Sequence, residues 1–197
     1  MKFISLLRDL DDKKIVLASQ SPRRIELLRS VGLDFRVYPS QIEEKIIPGY
    51  SHREYARHNA SEKAHWVSLH TDYDLIIAAD TVVCLHERIF EKPADRTEAR
   101  TMLENLSGKT HQVISGICLL AGQQEIIDHV TTDVTFYPLS REEIDLYLQS
   151  GEPYDKAGAY GIQGFASLFI KKIDGCYFNV VGFPISRFYQ HLKTIRF

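Results

Sequence analysis

Lys14-Ile15-Val16-Leu17-Ala18-Ser19-Gln20-Ser21-Pro22-Arg23-Arg24 is the stretch around which the chain is organised. Ile15 to Ala18 is a short apolar run rich in β-branched residues, which predicts a buried strand. Ser21 suits a helix N-cap, and Pro22 suits the first helical position, where its missing N–H costs nothing. Ile25, Leu28 and Val31 mark one helix face, and Gly32 stands where a helix terminates. Arg23 and Arg24 therefore fall in the first turn, the wrong helix end for cations. The placement makes sense if an anion binds there, because backbone N–H groups, two hydroxyls and two guanidinium forks then converge on phosphate. The competing reading is a pair of solvated surface charges.

The remaining pattern interleaves strands and helices. Phe35 to Pro39 predicts a second strand running into a loop at Ser40 to Glu44. Ser51-His52-Arg53-Glu54 is a capping box, and the helix after it carries Ala56, Ala60, Ala64 and Val67 at helical spacing, with Lys63 near that face. Leu75 to Ala79 predicts a buried strand ending in Asp80-Thr81. Asp95 or Thr97 caps a helix with Ala99, Met102, Leu103 and Leu106 inward. Val113 to Leu120 and Ile126 to Phe136 read as an antiparallel pair turning near Gly122. Ser140 to Glu143 is a second capping box, opening a helix that stops at Gly151. Glu152 to Gly164 is irregular, Ser167 to Ile173 reads as a strand, and Pro184 opens a final helix. Long neighbouring strands among the alternating elements favour a mixed α/β sheet over a purely parallel one. The expected organisation is one domain over residues 13–197, with an elongated mixed sheet flanked by helices. Residues 1–12 form an amphipathic extension, read as a packing helix or a frayed end.

Composition narrows the function classes. The 197 residues are 44% hydrophobic and 25% charged, as in ordinary globular proteins. A net charge of −2 and a pI near 6.4 argue against a generic basic groove for nucleic acid. Cys84, Cys118 and Cys176 lie far apart with no C-x-x-C pair, as expected of reduced thiols in a cytoplasmic protein. No apolar run approaches a membrane span. The histidines, His65 and His111 among them, lack zinc spacing and read as packed or exposed. Ser19 and Ser21 lie outside any G-x-S-x-G elbow, which disfavours acyl transfer.

The residues that could carry chemistry are few. Asp80, directly after an apolar strand, suits a general base or a metal ligand; the bland alternative is a turn aspartate. Glu43-Glu44 could hold Mg²⁺ or Mn²⁺, or be a solvated acidic loop. Lys63, Lys92 and Lys156 suit phosphates as point charges, against plain surface charge. In Gly158-Ala-Tyr-Gly-Ile-Gln-Gly164 the glycines allow close backbone approach, and the Gln163 amide can read a base edge. Together these suggest a nucleotide polyphosphate site.

The chain resembles the Maf-like nucleoside triphosphate pyrophosphatases from Lys14 to its end. The resemblance rests on Leu17-Ala-Ser-Gln-Ser-Pro-Arg-Arg24, Ala78-Ala-Asp-Thr-Val-Val83, Glu91-Lys-Pro93, Leu106-Ser-Gly-Lys-Thr-His-Gln-Val113, Glu152 to Gly164 and Asn179-Val-Val-Gly-Phe-Pro184. It implies a fold like the inosine triphosphate pyrophosphatases, a homodimer, and cleavage of a nucleoside triphosphate to monophosphate and diphosphate with a divalent metal. It also implies roles: Asp80 as proton acceptor for water, Glu44 and Asp80 as metal-linked carboxylates, and Ser19, Arg23, Arg24, Lys63, Lys92 and Lys156 on the triphosphate. Arg23, Thr81 and Gln163 match positions tied to base selection. The Gly158–Gly164 form resembles the branch acting on dTTP and UTP, with modified pyrimidine nucleotides as a further class, rather than the 7-methyl-GTP branch. Glu43 departs from the aspartate the family often carries before the second acid. A rival function is a nucleotide-binding regulator of septum formation.

Overall fold

The computed structural model describes residues 10–44 and 47–197. The expected helix or frayed end over residues 1–12 lies outside them except for its last three residues, of which Leu10 is buried. The described elements are β1 (Ile15–Leu17), α1 (Pro22–Ser30), β2 (Arg36–Val37), α2 (His52–Ser68), β3 (Leu75–Leu85), β4 (Arg88–Phe90), α3 (Arg96–Leu106), β5 (Thr110–Ala121), β6 (Gln124–Phe136), α4 (Arg141–Gln149), β7 (Ile170–Asp174), α5 (Tyr177–Val181) and α6 (Ile185–Leu192). The strands follow the order β2-β1-β3-β5-β6-β7, with β4 beside β3. β1 is parallel to β2 and β3, whereas β4 and β7 are antiparallel to β3 and β6. β5 and β6 are joined through Gly122, at φ 57°, a connection short enough only for a hairpin. The fold is thus α/β with a mixed sheet flanked by helices.

Two compact units divide the chain. The first holds the described residues up to Asp80, with Ser115–Val130 and Gly182–Phe197; the second holds Thr81–Ile114 and Thr131–Val181.

In the first unit the period-2 alternation of the strands separates two cores. Ile15, Leu17, Leu75, Ile77, Ala79, Ile117 and Leu119 join Leu28 of α1 and Phe188 and Leu192 of α6. Val16, Ala18, Ile76, Ala78, Cys118 and Leu120 join Ala60, Ala64 and Val67 of α2. Strands covered on both faces read as continuous apolar runs, which is why the sequence shows them so plainly. The alanines of α2 let it lie close: a Cβ on Gly116 would stand 2.1 Å from the Ala56 carbonyl oxygen. Ser51 and Glu54 form the capping box predicted for α2, with Ser51 N–H donating to Glu54 Oε2 at 2.8 Å.

The end of β3 differs from expectation. β3 does not end before Asp80 but runs through it to Leu85, because Val82, Val83 and Leu85 continue the buried pattern. By the same alternation Asp80 falls on the parity of Ile76 and Ala78, the residues that join the α2 core.

The second unit has its own core, in which Ala99, Met102, Leu103 and Leu106 of α3 and Ile144, Tyr147 and Leu148 of α4 meet Val83, Phe90, Val113, Val134 and Phe136. Asp95 rather than Thr97 caps α3, accepting the Glu98 N–H at 2.8 Å, and Ser140 and Glu143 form the second capping box. The strand expected from Ser167 starts only at Ile170: Ala166 and Phe169, three residues apart, turn inward together from a 3₁₀ turn. The short helix α5 and the brevity of β2 were not legible in the sequence.

Among the core residues stands His111, 1% exposed. Burial pushes its pKa down to about 4 from 6.5. A base held neutral in the fold binds fewer protons there than in the unfolded chain, so stability falls as pH drops below about 6.5 and levels off near 4. The difference between wild-type and His111→Gln urea-unfolding curves across this window should reach about 3 kcal/mol.

Candidate active site

The turn after β1 is built by Ser19 and Arg24. Ser21 holds the N-cap position of α1 with Pro22 following it, as expected, but its side chain makes no cap. Ser19 takes that work: its Oγ accepts from the Ser21 N–H at 3.3 Å and from Arg24 Nη1 at 3.0 Å. The Arg24 guanidinium also donates to the Ala79 carbonyl at 2.8 Å and, through Nε, to the Gly182 carbonyl at 2.9 Å. Desolvation lowers its pKa, opposed by the charges of Asp80 and Glu44. One planar fork therefore ties α1, the Ser19 turn, β3 and the chain before α6 together. Lysine offers one point charge where arginine offers five donors in a plane, so Arg24→Lys should cost about 2 kcal/mol, read as a lowered midpoint in urea.

Asp80 is 4% exposed, and each of its oxygens has a donor. Lys63 Nζ lies 2.6 Å from Oδ1, and Asn59 Nδ2 donates to Oδ2 at 3.2 Å. The same Lys63 ammonium is 2.7 Å from Glu44 Oε1, so one cation bridges the two carboxylates that the resemblance links to a metal. Asn59 and Lys63 are four residues apart on α2, hence on one face. Asn59 did not stand out in the sequence; its signal was that spacing, a polar residue one turn before Lys63 within an alanine stripe.

The first unit thus brings together Ser19, Arg24, Glu44, Lys63 and Asp80, with Arg23 next to Arg24 in the first turn of α1. Thr81, Lys92, Lys156 and Gln163 belong to the second unit. Lys92 is exposed ahead of the buried Pro93. Lys156 Nζ donates to the Glu152 carbonyl at 2.6 Å and meets Asp155 Oδ1 at 2.5 Å. Its methylenes lie against Gly161, where a Cβ would come within 2.7 Å of Cε. Gln163 is exposed beside buried Ile162.

No group of three or more His, Cys, Asp and Glu side chains suited to a metal occurs among the described residues. The donor set nevertheless fits Mg²⁺ or Mn²⁺, because such ions are held by one or two carboxylates together with substrate phosphates. Glu44 and Asp80 already share one cation, the Lys63 ammonium.

Chemically, this is a buried carboxylate held in one orientation by an ammonium and an amide, beside a second acid. Buried ion pairs are weak devices for stability, whereas a fixed carboxylate is what proton transfer requires.

Comparison with known proteins gives the same direction. Residues 14–195 match the family described as Maf-like protein. A protein of Symbiobacterium thermophilum named dTTP/UTP pyrophosphatase is 46% identical over 180 residues, covering 91% of this chain and 93% of its own. Proteins of the same name from Koribacter versatilis and Bacillus cereus (strain ATCC 10987 / NRS 248) are 46% and 45% identical, covering 91% and 92% of this chain and 93% and 89% of theirs. Among solved structures, the Staphylococcus aureus Ham1 protein aligns with a TM-score of 0.40 at 16% identity, covering 63% of this chain and 72% of that one. At that score the fold rests on the strand order alone.

Proposed function

The chain belongs to the Maf-like protein family, and from that membership we propose that it is a nucleoside triphosphate pyrophosphatase acting on dTTP and UTP. The observation that carries the mechanism is the fixing of both Asp80 oxygens by Lys63 and Asn59. A carboxylate has about four lone-pair directions, so two donors leave it able to accept a proton from water. That water attacks the α-phosphorus: its oxygen–phosphorus bond forms, the bond from the α-phosphorus to the bridging oxygen breaks, and diphosphate departs. The proton ends on Asp80.

Ser19, Arg23 and Arg24, with Lys63, Lys92 and Lys156, oppose the charge of the triphosphate, and Arg23, Thr81 and Gln163 select the base. Glu44 and Asp80 are the residues that would hold Mg²⁺ or Mn²⁺, whose chemistry when bound is to polarise phosphoryl oxygens and acidify water. The same reading makes the protein a cytoplasmic homodimer. Among the described residues no helix is long and apolar enough to cross a membrane, and the three cysteines remain thiols.

The test is diphosphate release from dTTP, UTP, CTP, 7-methyl-GTP and ITP with Mg²⁺ or Mn²⁺. We expect dTTP and UTP to be cleaved at least tenfold faster than the others. Binding without release of diphosphate from any of them would move the assignment to a nucleotide-binding regulator.

A further inference from the structure

The segment Gly158–Gly164 poses a physical problem. Three glycines in seven residues carry a large conformational entropy, yet a segment that reads a base must hold one shape. Gly158 and Gly164 take positive φ, at 70° and 86°, and Ala159 does so at 58° despite its Cβ. Such a backbone persists only where its surroundings over-determine it.

Its anchors all belong to the second unit. Gly158 packs against Val83, where a Cβ would meet Cγ1 at 2.9 Å, and its N–H donates to the Glu91 carbonyl at 3.1 Å. At the far end the Glu152 carboxylate accepts the Phe165 N–H at 3.1 Å and the Tyr147 hydroxyl at 3.3 Å. Between these ends the Gly161 backbone is hydrogen-bonded to the Tyr147 hydroxyl, and the Tyr160 hydroxyl lies 2.8 Å from His111 Nε2. Tyr160 is 5% exposed, and its ring meets the edges of His111 and Phe136 at centroid distances of 5.3 and 4.8 Å.

His111 is otherwise an extravagance. Its Nδ1 is buried and has no hydrogen-bond partner. An apolar side chain would fill the same space without that defect. The imidazole is accounted for if the bond to Tyr160 is what is needed.

We propose that His111 is a positioning residue, whose hydrogen bond to Tyr160 holds the Gly158–Gly164 segment in one conformation and so presents the exposed Gln163 amide for base selection. The role of Gln163 in this statement rests on the proposed pyrophosphatase reading; the holding of the segment does not.

The experiment therefore has two arms. Tyr160→Phe removes one oxygen and keeps the ring. Amide hydrogen exchange, without nucleotide, should then quicken about fivefold to tenfold at residues 161–164 and stay unchanged in α3 and α4. In the kinetic arm, the ratio of kcat/KM for dTTP to that for CTP should fall by a similar factor, through a raised KM for dTTP with kcat within about threefold. Combining His111→Phe with Tyr160→Phe should add little to either change. Unchanged exchange at 161–164, or exchange quickened equally throughout α3 and α4, would overturn the positioning role. Quickened exchange with an unmoved substrate ratio would overturn its link to base selection. A wild-type protein that cleaves no triphosphate would strike the pyrophosphatase reading while leaving the exchange arm decisive.

Discussion

Asp80→Asn should lower kcat for dTTP hydrolysis by about 10³-fold, within the range that general-base catalysis supplies. The substitution keeps the shape of the side chain and removes its basicity. The amide oxygen can still accept from Lys63, which lies 2.6 Å from Oδ1 in the native protein. The amide nitrogen then faces Asn59 Nδ2, a donor set against a donor where the carboxylate had accepted at 3.2 Å. A modest loss of stability, about 1–2 kcal/mol, should accompany the kinetic loss. The two effects separate cleanly. If Asp80 served only to neutralise Lys63, the melting temperature would fall and kcat would stay within threefold of wild type. If it is the base, the turnover of fully folded protein collapses at a temperature well below its melting point. Steady-state diphosphate release and calorimetry on the same preparation decide between them.

How far the sequence spoke for the site depends on how each residue is placed. Residues set by local pattern were legible. Pro22 opens α1, Ser51 and Ser140 build capping boxes, and the alanines of α2 pack as their spacing predicts. Asp80 was legible as a carboxylate in apolar company, but its partners were not, because Asn59 and Lys63 reach it from a helix that the topology alone brings near, with Glu44 held to Lys63 from a loop. Asn59 is the instructive omission: a lone polar residue in a buried stripe is visible in the sequence, and its partner is not. Arg24 shows the reverse. Its position in the first helical turn suggested an open phosphate fork, and the structure shows that guanidinium engaged with Ser19, Ala79 and Gly182. Strand ends were the least legible, as at Asp80 and Ser167, since a pattern of burial does not announce where a hydrogen-bond ladder stops.

Lys63→Met should be the most destabilising of these substitutions, costing about 3–5 kcal/mol, the range for removing one partner of a buried ion pair. Lys63 and Asp80 have side-chain exposures of 10% and 6%, so water can do little for the carboxylate left behind. Methionine fills much the same volume, so the loss is electrostatic rather than a cavity. Glu44, 2.7 Å from the same ammonium, is 44% exposed and is left to water, so the cost falls on Asp80. The argument has an internal control. Adding Asp80→Asn to Lys63→Met removes the stranded charge, so the double variant should regain much of the lost stability, by about 2 kcal/mol or more, while remaining inactive. Urea unfolding of the four proteins in the cycle measures this coupling directly. A cost below 1 kcal/mol for Lys63→Met, or a double variant less stable than Lys63→Met itself, would mean that the ion pair does not hold Asp80. Recovery of stability without recovery of turnover is the outcome that joins the two roles: Lys63 keeps a charge tolerable in the fold, and that charge is the one the reaction uses.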